Sequence, residues 1–386
     1  MLYIGIDISK NKHDLAVIDT LGEIIISQFT FENSPLGFDS LKQLIEHIKE
    51  TYQDDCRISL EDTGHYSHNL LNFLQQSNYE TFTYNPLIIK EFARSLSLRK
   101  TKTDKKDALV IARKLRDDTK KFSKSISHEI QEIKFLTRHQ SRLIHNRSKA
   151  KSLLVRALDL VFPELSKIVN NVHSKYIYEL LRQYPSAESI YHAPIESLLK
   201  IKYLSLEKIE HIQESTQLSI GTSSYALSLE LRQLLFTIEH YSQQIDEIDK
   251  LIKKFMDQIH SPILSITGIG IRLGAIILSE IRDIKNFNTP AQLQAFAGLE
   301  PAIYQSGQIN SKGKMVKRGS PYLRYALMQA ARLISIFSPH FKEYLKLKRA
   351  QGKSYYVALS HVAKKLIRII FYLLKHNCLF DESQLS

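Results

Sequence analysis

The run Leu2-Tyr3-Ile4-Gly5-Ile6-Asp7-Ile8 puts a single carboxylate inside an otherwise apolar stretch. A segment of this composition is expected in the interior of a sheet. An ionised acid there loses its hydration unless a cation or a set of hydrogen bonds replaces it. Two readings of Asp7 follow: a metal ligand, or a strand-end residue that caps the turn from Ser9 to Lys12.

Composition narrows the partners. Lys and Arg number 53 against 40 Asp and Glu, a formal charge of +13, and such an excess favours a polyanion such as nucleic acid. Cys56 and Cys378 are the only cysteines, which excludes a disulfide framework and any multi-cysteine zinc site. The N-terminus shows no signal-peptide pattern, and no apolar stretch reaches spanning length, so a cytoplasmic protein outside the membrane is expected. At 386 residues, two or three domains are expected.

In chain order, Leu2 to Ile8, His13 to Asp19 and Ile24 to Phe31 are β-rich runs separated by Asn11-Lys12 and Leu21-Gly22, the punctuation of two hairpins. A helix follows Asn33-Ser34, with Phe38, Leu41, Leu44, Ile45 and Ile48 on one face. It leads to a strand from Arg57 to Leu60, a second helix around Leu70 to Leu74, and a strand from Thr81 to Tyr84. Three antiparallel strands followed by βα units form the order of the ribonuclease H-like fold. The actin-like sugar kinases begin in the same way, but they need Gly-rich phosphate loops at the hairpins, and the turn from Ser9 to Lys12 has no glycine.

Glu61 directly follows the strand Ile58-Ser59-Leu60, where its carboxylate can share a cation with Asp7. Asp104 and Asp107 open a further helix and share a face by their spacing of three, in a first turn that favours anions. Alone, this pair reads more readily as an N-cap at Asp104 and a solvated face at Asp107 than as a ligand pair. Together, Asp7, Glu61, Asp104 and Asp107 form an all-oxygen set suited to Mg²⁺, and a two-metal site would hold a phosphodiester between ions about 3.5–4 Å apart.

From about Ser127 long helices are expected. One seam runs Ile133, Leu136, Leu143, Ala150, Leu154, Ala157, Val161, with polar breaks at Gln140 and Arg147. A cleaner seam runs Leu231, Leu234, Ile238, Tyr241, Ile245, Ile248, Ile252, Phe255, Ile259, which argues for a coiled coil within one chain or between chains. The stretch from Val172 to Gly221 has no readable motif. Ser265-Ile266-Thr267-Gly268-Ile269-Gly270 reads either as a plain interhelical turn or as a helix-hairpin-helix element whose backbone N–H groups hold a DNA phosphate. Beyond it, Gln305-Ser306-Gly307 is flanked by Lys312, Lys314, Lys317, Arg318 and Arg324, a hydroxyl beside cations that could bind nucleic acid.

Taken together, Gly5-Ile6-Asp7-Ile8-Ser9-Lys10, Glu61 with Thr63-Gly64, Thr103-Asp104 with Asp107-Ala108, Gly298-Leu299-Glu300-Pro301, Gln305-Ser306-Gly307 and Lys317-Arg318-Gly319 with Leu323-Arg324 resemble the DEDD transposase family of insertion sequences, the bridge-RNA-guided recombinases. The chain departs from that pattern at Thr267, where proline is usual, and at Asp62, an additional acid beside the set. The resemblance implies an α/β RuvC-like catalytic domain over residues 1–125, a helical coiled-coil region over 126–260, and a mainly helical C-terminal transposase domain over 261–386. It further implies Mg²⁺ on the four acids, Ser306 as nucleophile, donor and target DNA with a noncoding guide RNA as partners, and a dimeric to tetrameric assembly in which the heptad seams associate. The alternatives are a RuvC-like Holliday-junction nuclease that uses water, and a nucleic-acid-binding protein with an inactive site.

Overall fold

The computed structural model describes all residues except 62–64, 85, 97–103, 119–126, 302–303, 307–308, 312–314 and 386, and it leaves undescribed the side chains of 87, 104–105, 301, 304–306 and 309–311. The chain forms two units, Met1–Ser127 and His128–Ser386. Among the described residues, no helix is long and apolar enough to cross a membrane.

The first unit is built on a five-stranded sheet of β1 (Leu2–Ile8), β2 (Lys12–Ile18), β3 (Ile24–Glu32), β4 (Cys56–Glu61) and β5 (Thr81–Tyr84), with four helices α1 (Pro35–Tyr52), α2 (Ser67–Gln76), α3 (Pro86–Leu96) and α4 (Asp104–Asp117). The order is β3-β2-β1-β4-β5. The two hairpins are antiparallel, and β4 and β5 are parallel to β1, which is consistent with the ribonuclease H-like arrangement read from the sequence. Alternation along the strands divides the faces. Leu2, Ile4, Ile6 and Ile8 join Leu15, Val17, Ile58 and Leu60 in one core with Leu41, Ile45 and Ile48 of α1 and Leu70, Leu71 and Leu74 of α2. Helix α1 starts where Ser34 accepts a hydrogen bond from the Gly37 amide and Pro35 fixes the first helical φ.

The opposite face carries Tyr3, Gly5 and Asp7, and α4 lies on it. A Cβ at Gly5 would stand 2.2 Å from the Ala108 carbonyl oxygen and 2.3 Å from the Ala112 amide, so only glycine permits this approach. The Ser59 hydroxyl, 3.3 Å from the carbonyl oxygens of both Ile4 and Ile111, marks the same contact on β4. The direction of α4 follows from its far end, where Arg116 donates to the Leu21 carbonyl in the β2–β3 turn. That turn lies at the N-terminal edge of β1, since Ile18 pairs with Tyr3. Helix α4 therefore runs against β1 and brings its own N-terminus towards the edge that holds Asp7.

In the second unit, α5 (His128–Val161) and α11 (Tyr225–Ile259) pack along each other within one chain. Gln140 donates to Asp249, Arg147 to Ser242 and Arg156 to Glu230, so position falls on one helix as it rises on the other and the pair is antiparallel. The polar breaks in the first seam are thus matched across the pair. Leu231, Leu235 and Ile238 meet Ala150, Leu154 and Leu158 at one end, and five short helices close that end: α6 (Leu165–Ile168), α7 (Lys175–Gln183), α8 (Ala187–Tyr191), α9 (Ile195–Leu198) and α10 (Leu206–Gln217). The stretch without motifs is therefore the packed cap of the helix pair. At the other end, Ile133, Leu143, Ile245, Ile248 and Ile252 join a large core with α12 (Ile271–Ile281), α13 (Pro290–Phe296), α14 (Pro321–Phe337), α15 (Pro339–Ala350) and α16 (Tyr355–His376). Ile245 and Ile248, 2% and 7% exposed, are buried inside the chain, so acidic substitutions there would test this core rather than an association between chains.

The Gly5 contact yields a test. Gly5→Ala forces a methyl against backbone atoms that cannot rotate away, and the expected loss is about 2–3 kcal/mol, from overpacking. An unfolding midpoint in urea equal to that of the native chain would contradict the close approach of α4.

Candidate active site

The acids come together through strand register. Ile6 pairs with Leu60 in the parallel β1–β4 ladder, so Asp7 and Glu61 stand one step further on, side by side at the carboxyl ends of neighbouring strands. Strands about 4.8 Å apart bring two such side chains within reach of one ion. Asp7 shares a face with Gly5, and Glu61 with Ser59, so both carboxylates lie on the face that α4 covers. All three described acids, Asp7, Glu61 and Asp107, are half-buried. Helix α4 begins at Asp104, and Asp107 immediately precedes the Ala108 carbonyl that touches Gly5. The Asp104 side chain, and all of Asp62, lie outside the described residues. Among the described residues, no three His, Cys, Asp or Glu side chains are close enough to hold a metal ion.

A further acid escaped the sequence reading. Asp14 on β2 is the antiparallel partner of Asp7 and points to the same face, and it is 3% exposed. It accepts hydrogen bonds from Gln28 Nε2 at 2.9 Å and Thr30 Oγ1 at 2.5 Å, and Lys12 Nζ lies 3.8 Å away. These donors allow a second carboxylate beside Asp7 to stay buried. The available signal was parity, because Asp14 breaks the apolar run of β2 opposite the place where Asp7 breaks that of β1. His13, its neighbour, faces the other side against Phe31 and Phe38, and burial lowers its pKa.

Ser306 lies in a nested antiparallel excursion between α13 and α14, made of β6 (Glu300–Pro301), β7 (Tyr304–Ser306), β8 (Ile309–Ser311) and β9 (Met315–Val316). Glu300 pairs with Val316 at its base, and Ser306 pairs with Ile309 at its tip. The side chain of Ser306 and the whole of Lys312 and Lys314 lie outside the described residues. Lys317 and Arg318 are exposed, whereas Arg324 Nη1 donates to the carbonyls of Ala297 at 3.3 Å and Lys317 at 3.4 Å, which ties the two roots of the excursion together. Gly298 at φ +67° and Gly319 at φ +131° supply the positive backbone angles of those roots, and a Cβ at Gly319 would meet the Phe296 carbonyl at 2.2 Å.

Beneath the roots lies a buried carboxylate. Glu280 on α12, 3% exposed, receives Arg138 of α5 through two hydrogen bonds of 2.8 and 3.1 Å, and the Ser320 hydroxyl donates to it at 2.7 Å. Ser320 also caps α14 by accepting from the Leu323 amide. Burial alone would raise the Glu280 pKa, yet the Arg138 guanidinium, with Lys134 and the Ser320 hydroxyl, holds it below the ordinary carboxylate value. One acid thus fastens α5, α12 and the return of the Ser306 excursion. The turn before α12 has Gly268 at φ +88°, backed by Ile334 and Leu333 of α14, while Gly270 has open space around its Cα.

Removing that carboxylate has a stated sign with pH. Glu280→Ala leaves Arg138 without its partner, and a cost of about 3 kcal/mol is expected, the low end for a broken buried pair because the Arg138 side chain is 36% exposed. The folded pKa of Glu280 is depressed, so its stabilisation is full above the ordinary carboxylate range and is lost as pH falls through the lowered value. Chemical denaturation of both proteins as a function of pH should show the gap narrowing in acid. A constant gap would remove the charge from the explanation.

Comparison with known proteins agrees with this layout. A DEDD transposase model named for IS110 matches residues 4–163, and a model described as transposase of the IS116/IS110/IS902 family matches residues 260–346. The chain is 26% identical over 393 residues to the pilin gene-inverting protein of Moraxella bovis, covering 98% of each. It is 23% identical over 392 residues to the uncharacterized 44.8 kDa protein of insertion element IS116 from Streptomyces clavuligerus, covering 98% of this chain and 96% of that one. A shorter match, 28% over 153 residues, joins it to the transposase for insertion sequence element IS1328 of Yersinia enterocolitica, covering 37% of this chain and 46% of that one. With both family models matched in order at the two ends of the chain, the protein belongs to the IS110/IS116 family and is a DNA transposase.

Proposed function

We propose that this transposase moves its element by a serine attack on DNA, with Asp7, Glu61, Asp104 and Asp107 as a Mg²⁺ site and a noncoding RNA choosing the DNA. The observation that carries the reading is the meeting of Asp7 and Glu61 at one sheet edge, towards which Gly5 lets the first turn of α4 descend. Half-buried carboxylates with no nitrogen or sulfur donor among them match the donor set that Mg²⁺ takes. When bound, that ion would stabilise the negative charge that gathers on a phosphodiester as it is attacked.

The chain's own residues supply the rest. Ser306 Oγ forms a bond to phosphorus as one P–O bond of the strand breaks, so the number of phosphoester bonds is unchanged and a later hydroxyl can reverse the step without an external energy source. Hydrolysis would discard that bond. The Moraxella bovis relative is named for inverting a gene, a process that rejoins every strand it cuts, and this supports a conserved linkage over attack by water. Lys317 and Arg318, with Lys312 and Lys314, offset the charge of the phosphate near Ser306. In this reading the synapse is dimeric or tetrameric and its protomers share sites. The turn at Gly268 and Gly270 acts in this reading as a helix-hairpin-helix phosphate contact, and the α5–α11 pair as an intrachain coiled coil.

Two measurements test the reading. End-labelled DNA incubated with the protein, its RNA and Mg²⁺ should give a covalent adduct that peptide mapping assigns to Ser306 and that Ser306→Ala abolishes. Free ends cut equally well by Ser306→Ala would assign the chain to the resolvase class instead. Single alanine replacements of Asp7, Glu61, Asp104 or Asp107 should each lower cleavage by at least about 10³-fold, by analogy with other groups that stabilise the transition state, without changing the melting curve. Asp62→Ala should have much less effect, and the reverse ranking of Glu61 and Asp62 would reassign the ligand.

A further inference from the structure

Helices α15 and α16 and the turn between them carry a concentration of positive charge with few acids to balance it. From Pro339 to His376 there are nine Lys and Arg residues, at 342, 346, 348, 349, 353, 364, 365, 368 and 375, against one acid, Glu343. None of the nine makes a salt bridge among the described residues. Elsewhere in the same unit, Arg138, Arg156, Arg182 and Arg272 are each paired with a carboxylate.

The cations are gathered rather than spread. Lys348 at the end of α15, Lys353 in the turn and Lys364 on α16 all act on His361, whose pKa is lowered first by burial and then by these three charges. Burial likewise lowers Lys364 and Lys365. Lys365 Nζ lies 2.5 Å from His340 Nε2 and 5.3 Å from the centre of the Tyr344 ring, so even its near contacts are not carboxylates. Lys342, Lys346, Arg349 and Arg368 are exposed. Self-repulsion of this size is relieved by a polyanion from outside.

The position of the cluster selects the polyanion. Helix α16, which carries Lys364, packs against α13, the helix that leads into the first strand of the Ser306 excursion, and the Glu300 charge on that strand works against the burial that lowers the Lys364 pKa. The patch therefore borders the segment that carries the proposed nucleophile. We infer that the α15–α16 hairpin, centred on Lys348, Lys353 and Lys364, is a binding surface for the phosphate backbone of the DNA strand that enters the Ser306 excursion. The choice of DNA over RNA rests on the serine reading, while the existence of a phosphate surface rests on the charge and geometry alone.

The test measures salt dependence rather than activity. The full-length protein, its Lys348→Gln/Lys353→Gln/Lys364→Gln variant, and a control of equal charge change, Lys200→Gln/Lys202→Gln/Lys208→Gln, would be titrated by fluorescence anisotropy against a random-sequence duplex DNA and an RNA hairpin between about 50 and 200 mM salt, the range in which phosphate contacts register. Each phosphate contact contributes about 0.9 to the slope of log affinity against log salt. The α15–α16 variant should therefore lose about two to three units of slope on DNA, while the control loses less than about one unit on the same scale. Arginine at the same three positions should restore the native slope. If the glutamine variant melts early, Lys346→Gln/Arg349→Gln, at exposed positions, replaces it, with a loss of about two units expected. An unchanged DNA slope, or a loss seen only with RNA, overturns the inference. A normal loss of slope together with a Ser306→Ala protein that still cuts would instead retain the surface and reject the serine mechanism.

Discussion

The first unit depends on an absent side chain. Because Gly5 has no Cβ, α4 rests on β1 with backbone against backbone, and this approach aims the first turn of α4 at the edge that carries Asp7 and Glu61. Close approach of this kind is rigid, since the atoms in contact are carbonyl oxygen, amide nitrogen and Cα rather than rotatable side chains. The sheet edge built on it, where the Mg²⁺ site is proposed, inherits that rigidity. Asp14, beside Asp7 and held by Gln28, Thr30 and Lys12, adds a second buried acid to the same face of the sheet.

The second unit solves a different problem, the support of a short β-excursion that has little core of its own. Its roots are held by backbone angles available at Gly298 and Gly319, by Arg324 bridging two carbonyls, and by Glu280 below. Glu280 is buried and charged, an arrangement that is unfavourable alone and acceptable because a guanidinium and a hydroxyl meet both of its oxygens. Its location under the return of the excursion gives α5 a direct mechanical connection to the segment that bears Ser306.

What the sequence disclosed follows from how local each signal is. The strands of the first unit were readable because alternation and hairpin punctuation act over a few residues, and β5 matched at both ends, Thr81 and Tyr84. Helix α4 opened at the expected Asp104, whereas α3, which starts at Pro86, was not foreseen. Both long helices were visible as heptad seams. A seam records only that an apolar face needs a partner, so it could not say that Gln140 meets Asp249 and Arg147 meets Ser242 in the same chain. The strands β6 to β9 are two or three residues long and lie among glycines and lysines, too short for any period to register. Asp14 was missed because pairing across strands is not written in linear order.

The paired helices also set a length. A continuous helix of 34 residues such as α5 spans about 50 Å at 1.5 Å per residue. One end is closed by the five short helices and the other is embedded with α12, α14 and α16. Duplex DNA rises about 3.4 Å per base pair, so this strut is as long as about 15 base pairs. A duplex lying along it would meet the two ends on different turns of its groove, and the spacing between those points of contact would be fixed by the number of residues in α5 rather than by any base that the protein reads.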